Sequence, residues 1–203
     1  MSNLKNTGLQ ALMYSDDYNQ QFCYWKNVMG SFWTEILIDQ KYVSEIKTLQ
    51  CPVCESDPKN NRMTFAAECN IKGSTMNKGY YTSPQYLNAT ANISKLEKPT
   101  RTPAFYDSWN GSSQYAIASI CSTLPNSLIP NKTYIYFCHS KKANIAFWDG
   151  HVAALDPAAL KGEVPIISNS DPDTKEIFQS LWIDEGYAKY YDLDNTVKDF
   201  QDL

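Results

Sequence analysis

Six cysteines are the residues in this chain most able to do chemistry: Cys23, Cys51, Cys54, Cys69, Cys121 and Cys138. An even number of cysteines in an extracellular or envelope setting predicts disulfides, although the sequence does not give their connectivity. Free buried thiols, a zinc site and a redox site are the alternatives. Zinc would need a second C-x-x-C pair or paired histidines, and only Cys69 follows Cys51 and Cys54 nearby. A thioredoxin-like site would need C-x-x-C at a helix start after a parallel strand, whereas here the pair follows a helical stretch.

The two histidines, His139 and His151, flank Asp149 and raise the hypothesis of a metal or acid–base site. Strand geometry argues against it, because His139 and Asp149 lie at opposite ends of a predicted strand, about 16 Å apart at about 3.3 Å per residue. Neighbouring strand residues point to opposite faces, so Cys138 and His139 are not expected to form a dyad. We therefore expect no catalytic residue, no bound metal and no cofactor.

Two local alternatives remain for these polar residues. His151 either pairs with Asp149 or stacks on Trp148. A cation could instead bind near Asp149, near Asp156 or among the carboxylates after Asp171.

Residues 134–155 are predicted to form a β-meander. Its parts are a strand at Tyr134–Cys138, a turn at His139–Ala143, a strand at Asn144–Trp148 and a third strand from His151. Asp149-Gly150 predicts a two-residue type I′ turn, because glycine adopts positive φ without strain. That turn would pair Trp148 with His151, Phe147 with Val152, Ala146 with Ala153 and Ile145 with Ala154. The apolar face would then hold Ile145, Phe147, Val152 and Ala154, and the outer face Asn144, Trp148 and His151.

His139, nine intervening residues and Asp149-Gly150 together resemble the H-x9-DG signature of prepilin-type processing-associated proteins. These proteins are similar to type II secretion pseudopilins. Three further patches resemble the family in the same order: Ser2–Asn19, Leu49-Gln50-Cys51-Pro52 and Lys98–Asp107. The resemblance implies a structural role for the motif residues, which are His139, Asn144, Phe147, Asp149, Gly150 and His151.

The resemblance also implies an α+β, pilin-like fold, in which an N-terminal helix at residues 2–18 packs on an antiparallel sheet. Such a protein is anchored in the inner membrane, and its head lies in the periplasm or outside the cell. Its partners are other pseudopilin-like subunits or proteins of the secretion apparatus. The family's apolar run of about 20 residues is missing from this chain. We therefore expect the chain to be a truncated soluble part whose Met1 is a cloning start.

Length and charge fit this reading. We expect one domain over residues 1–203, and a net charge of −4 argues against nucleic acid as a partner. Residues 21–50 are predicted to be a loop and an interrupted helix. Further strands are predicted at Met63–Glu68, Gly79–Thr82 and Pro103–Asp107. The C-terminal extension, residues 157–203, should hold a loop, a helix from Asp173, and a docking helix or frayed end from Tyr187.

Two rival functions come from other classes. Aromatic residues make up 13% of the chain, and together with Asp184-Glu185 they suggest a carbohydrate-binding or carbohydrate-processing envelope protein. A metal-sensing module is the third alternative.

Overall fold

The computed structural model describes residues 1–26, 31–54, 64–68, 89–96, 98–110, 120–121, 133–163, 189–191 and 197–199. Within these residues the chain forms three α-helices, which are α1 (Ser2–Asp17), α2 (Trp33–Asp39) and α3 (Pro157–Glu163). Its strands are β1 (Gln21–Lys26), β2 (Ser31–Phe32), β3 (Phe65–Glu68), β4 (Ala89–Asn92), β5 (Pro103–Asn110), β6 (Ile120–Cys121), β7 (Thr133–Tyr136), β8 (Ala143–Phe147), β9 (Val152–Leu155), β10 (Lys189–Tyr191) and β11 (Val197–Asp199).

Helices accompany a mainly antiparallel sheet, so the protein is α+β, as expected. A small antiparallel sheet has the strand order β2-β1-β4. The larger sheet has the order β11-β10-β7-β5-β3-β6, and β8 and β9 extend it from β5. Its centre is the antiparallel set β3-β5-β8-β9.

Strand β5 has two consecutive partners on one of its edges. Its first half pairs with β8, where Tyr106 lies opposite Ile145, and its second half pairs with β7, where Ser108 lies opposite Ile135. Asp107 is the residue between the two halves. The edge therefore forks at Asp107, and the chain between β7 and β8 leaves the ladder at this point.

Both faces of β8 are buried, which corrects the expectation of an outer face. All five β8 residues are buried, and Trp148, which follows the strand, is 3% exposed. Ile145 and Phe147 pack in one core cluster with Leu160 of α3, whereas Ala146 and Trp148 pack in the cluster that contains the α1 residues. The sheet is thus covered on both sides, and of the predicted outer residues only His151 is exposed.

The predicted register of the β8–β9 hairpin is wrong by one residue. Ala146 lies opposite Val152 and Ile145 lies opposite Ala153. The Gly150 amide donates to the Phe147 carbonyl at 2.9 Å, and the Phe147 amide donates to the His151 carbonyl at 3.0 Å. The loop therefore has three residues and ends in Gly150 at φ +88°, the arrangement of a type I turn with a bulge. A slip of one residue moves Val152 to the opposite face from the one predicted.

Helix α1 confirms the predicted N-terminal helix and lies against the sheet. Its buried stripe has helical spacing and consists of Leu4, Thr7, Gly8, Ala11, Tyr14 and Ser15. Gly8 allows close approach to β8, because a Cβ there would lie 3.5 Å from the Cβ of Ala146. None of the helices in the described part of the chain has the length and hydrophobicity that a membrane span requires.

Other expectations meet mixed outcomes. Residues 21–26 form a strand instead of a loop, whereas the interrupted helix is present as α2 and a 3-10 turn at Ile46–Leu49. The chain after Pro157 begins as helix α3 rather than as a loop. Residues 189–191 and 197–199 form β10 and β11, which extend the sheet beside β7, so the expected docking helix or frayed end is wrong there. The strand at Gly79–Thr82 and the helix from Asp173 lie outside the described residues.

Candidate functional site

Five side chains from three parts of the chain converge at the fork of β5. Their ligand atoms all lie within 4.8 Å of one another. We call this group the Cys/His cluster, and it consists of Cys51, Cys54, Asp107, Cys138 and His139. Apart from His139, which is partly exposed at its rim, the cluster is buried.

Cys138 and His139 reach the cluster together because β7 ends before them. The strand was predicted to continue to Cys138, but it stops at Tyr136, so strand alternation no longer separates the two side chains. His139 and Lys142 exchange backbone hydrogen bonds of 2.9 and 3.1 Å around a tight turn. Ser140 and Lys141 in that turn have φ values of 53° and 64°. Cys138 and His139 therefore reach the same centre, contrary to the expectation that they cannot form a dyad.

Thr64 fixes the C-x-x-C segment against the sheet. The Cys51 amide donates to the Thr64 hydroxyl, and the Ser108 hydroxyl donates to the Thr64 carbonyl at 2.9 Å. The Thr64 amide in turn donates to the Leu49 carbonyl at 3.0 Å. Because Thr64 is fully buried, these bonds replace water and position Cys51 beside β5.

Helix α1 supports the same segment from the other side. The Asn3 side-chain amide donates to the carbonyls of Lys47 and Gln50, at 3.0 and 2.8 Å. The Thr7 hydroxyl lies 3.2 Å from the Thr48 carbonyl. Two polar residues of the N-terminal motif thus hold the 3-10 turn from which Cys51 follows.

Asp107 is the buried acid of the cluster. Its Oδ2 accepts the Asn144 backbone amide at 2.8 Å and lies 3.1 Å from His139 Nε2. Its Oδ1 is buried and has no hydrogen-bond partner among the described residues. Burial raises the pKa of Asp107, and the hydrogen bond to Asp107 is the largest cause that raises the pKa of His139.

Hydrogen bonds among the three thiols of the cluster shift their pKa values in opposite directions. Hydrogen bonds with Cys138 and Cys54 lower the pKa of Cys51, because they stabilise its thiolate. The bond with Cys138 raises the pKa of Cys54, and the bond with Cys51 raises the pKa of Cys138. The arrangement therefore favours a thiolate at Cys51 within a set of sulfur donors.

No disulfide joins the three cysteines of this cluster, whereas the sequence predicted disulfides among the six cysteines without giving their connectivity. Cys51, Cys54 and Cys138 are thiols, and the Cys54 and Cys138 sulfur atoms lie 2.8 Å apart, well beyond the bonded distance of about 2.05 Å. The sulfur atoms instead converge on a common centre with His139. Cys23 is buried in the core cluster that packs against α1. The side chains of Cys69 and Cys121 lie outside the described residues.

The H-x9-DG motif connects this cluster to α1 through the length of β8. His139 lies in the cluster at one end, and Gly150 lies at the other end, where an added Cβ would meet Leu12 at 3.3 Å. Asp149 accepts hydrogen bonds from His151, at 2.6 Å from Nδ1 and 3.1 Å from the amide. The expected local pair therefore exists. The ring of His151 stacks on Phe147 at 4.3 Å, not on Trp148.

The cluster was not predicted, because the partners of the C-x-x-C pair were expected close to Cys54 in the sequence. The missing half is Cys138-His139, which lies 84 residues or more from the C-x-x-C pair. The signal available in the sequence was an adjacent cysteine and histidine just after a strand. The second signal was Asp107, an acidic residue at the end of the predicted strand Pro103–Asp107.

Tryptophans do not form the surface that the carbohydrate hypothesis requires, as far as their burial is described. Trp33, Trp109 and Trp148 are at most 7% exposed, and all three lie in the core. Asp184 and Glu185 lie outside the described residues. The rival function thus gains no support from the described part of the chain.

Comparisons of the chain with protein-family models, with curated proteins and with solved structures found no match. The class that the fold defines is therefore α+β, and the pseudopilin resemblance stays a prediction from the motifs.

Proposed function

We propose that this chain is the head of a pseudopilin-like structural protein, related to type II secretion, that acts by assembly with other subunits. In this proposal it is held at the inner membrane of the cell envelope by an N-terminal helix, and its head lies in the periplasm or outside the cell. Its partners are subunits of the same kind or proteins of the secretion apparatus. The chemistry is non-covalent, and the protein is not an enzyme.

The observation that carries the proposal is the two-sided character of α1. One side packs on β5 and β8 through the stripe that contains Leu4 and Ala11. Leu9 and Met13 lie outside this stripe, with exposed fractions of 43% and 59%, and the partly covered Leu9 lies beside Gly150 of the β8–β9 loop. These two residues are four positions apart and so lie next to each other on the helix surface. An apolar pair on the outer side of a helix that is already packed on its own sheet fits a contact between subunits.

The motif residues support the same proposal through their positions. His139 and Gly150 fix the two ends of β8, and Asn3 and Thr7 of α1 hold the turn before Cys51. Each motif therefore stabilises the seating of α1 on the sheet. A head built in this way would keep its helix in a fixed orientation toward neighbouring subunits.

The test begins with the coding sequence upstream of Met1, in which the proposal expects an in-frame apolar run of about 20 residues. That longer protein would then be expressed in bacteria, where it reaches the cell envelope, with a photo-crosslinking amino acid in place of Met13. We expect a ladder of crosslinked oligomers. A crosslinker at the exposed Lys41, outside α1, is the matched control and should give far less. A stop codon upstream, or equal crosslinking at both positions, would contradict the proposal.

A further inference from the structure

We propose that the Cys/His cluster is a structural zinc site in which Cys51, Cys54, Cys138 and His139 are the four ligands. Three sulfur donors and one imidazole nitrogen form one of the common ligand sets of structural zinc. Softer thiolate donors also select zinc over magnesium, calcium or manganese, which prefer oxygen. The C-x-x-C spacing of Cys51 and Cys54 is the spacing that zinc sites use for one half of their ligands.

The distances fit a tetrahedron around one ion. Zn–S bonds of about 2.3 Å and Zn–N bonds of about 2.0 Å place ligand atoms about 3.5 to 3.8 Å from each other. Cys54 Sγ lies 2.8 Å from Cys138 Sγ, and Cys51 Sγ lies 3.2 Å from His139 Nε2. Both distances are shorter than the tetrahedral edge, by about 1.0 and 0.3 Å, and the ligand atoms all lie within 4.8 Å of one another. Small side-chain movements would therefore be enough to complete the coordination.

The surroundings of His139 Nε2 point to a cation at that atom. Two electron-rich atoms, Cys51 Sγ and Asp107 Oδ2, lie within 3.2 Å of the same ring nitrogen. Asp107 is fully buried, and its other oxygen has no partner among the described residues. Zinc would bind the three sulfur atoms as thiolates and the neutral imidazole at Nε2, so its binding would release the thiol protons and any proton on Nε2.

Burial makes the site structural. Cys51 is 4% exposed, and Cys54 and Cys138 are 9% exposed. All four positions are filled by protein atoms, so no position remains open for water or substrate, as catalytic zinc requires. We assign Asp107 a place beside the ligands, where it holds the Asn144 amide and therefore the start of β8.

The role of the ion would be to join two distant parts of the chain. Its ligands come from the segment after the 3-10 turn and from the turn between β7 and β8, which are 84 to 88 residues apart in the pairs that touch. Because the first segment is also tied to α1, the ion would connect α1 to the fork of the sheet. Binding of the ion would thus be coupled to folding.

The first experiment measures the wild-type chain, purified from zinc-containing medium without reductant and without chelator. Native mass spectrometry should show one zinc ion per chain. X-ray absorption at the zinc edge should show three sulfur atoms at about 2.3 Å and one nitrogen at about 2.0 Å with the outer-shell signal of imidazole. A chain without stoichiometric metal, one that carries iron, or one that carries a Cys54–Cys138 disulfide would overturn the proposal.

Variants separate the ligands from their neighbours. Cys54→Ser and His139→Ala should each lower zinc content at least tenfold in the presence of a competing chelator. Cys23→Ala, a buried cysteine outside the cluster, is the matched control and should keep one zinc per chain. Asp107→Asn should also keep one zinc ion per chain. If Asp107→Asn loses zinc while His139→Ala keeps it, the choice of His139 as the fourth ligand is overturned. If a variant does not fold, the absorption measurement on the wild type still decides. The result does not depend on assembly, so it can fail or succeed separately from the pseudopilin proposal.

Discussion

Replacement of Gly8 by alanine should stabilise the protein, although Gly8 is buried where α1 meets the sheet. A helix interior with glycine is about 1 kcal/mol less stable than one with alanine, because glycine loses more backbone freedom on folding. The cost of the added methyl group depends on the space available. An ideal Cβ at Gly8 would meet only the Cβ of Ala146, at 3.5 Å, which is ordinary van der Waals contact.

The net effect expected for Gly8→Ala is therefore an increase of about 0.5–1 kcal/mol in the free energy of unfolding. For a chain of this length, that increase corresponds to a rise of about 1–4 °C in the melting temperature. Urea denaturation followed by circular dichroism measures it, with wild type and variant at the same zinc concentration. The matched variant is Gly150→Ala. Gly150 has φ +88°, and its added Cβ would lie 3.3 Å from Leu12. Here we expect a loss of about 1–3 kcal/mol.

Opposite signs for the two glycines would support the described seating of α1 on β8. A loss of more than about 1 kcal/mol for Gly8→Ala would refute it, since the helix would then lie closer to the sheet than 3.5 Å allows. The double variant Gly8→Ala with Ala146→Gly provides a check. If the contact between the two positions causes such a loss, removal of the Ala146 methyl group should recover it.

Two further predictions concern single hydrogen bonds. Thr64→Val keeps the shape of the side chain but leaves the Cys51 amide without its acceptor, so the free energy of unfolding should fall by about 1–3 kcal/mol. Thr64→Ser keeps a hydroxyl and should therefore retain most of the wild-type stability. Equal losses in both variants would contradict the assigned bond. The hydrogen bond from the Tyr42 hydroxyl to Asp17 is the largest cause that raises the pKa of Tyr42 from 10.0 to about 12. Because this pKa is raised in the folded protein, the bond stabilises the fold below pH 10 and its contribution is lost between pH 10 and pH 12. The stability difference between wild type and Tyr42→Phe should therefore shrink over that range, and a difference that grows with pH would show that the sign is wrong.

The parts of the fold that depend on local patterns were predictable from the sequence. The apolar spacing that begins at Leu4 gives α1, and the alternation around Ile145 gives β8. Asp149-Gly150 correctly marked a turn. The type of turn was not predictable from the dipeptide alone, because two-residue and three-residue loops both accept glycine after aspartate. The choice between them decided which side chains face α1.

Other features depend on tertiary structure and could not be read locally. Asn144 and Trp148 looked like outer residues, but this face of the sheet is covered too, because Trp148 and Ala146 pack in the cluster that contains the α1 residues. The fork of β5 ends β7 two residues before Cys138, and this early end allows Cys138 and His139 to point to one centre. Sequence spacing gave no sign of the fork, because it results from competition between β7 and β8 for the same edge of β5.

The long stretch of sequence between the two halves of the Cys/His cluster has a consequence for synthesis on the ribosome. Cys54 leaves the ribosome 84 residues before Cys138. At about 5–20 residues per second, this delay is roughly 4 to 17 s. During that time Cys51 and Cys54 are neighbouring thiols without the partners that they have in the folded cluster, and they are open to oxidation. The nascent protein therefore most needs a reducing compartment between the synthesis of Cys54 and the synthesis of His139.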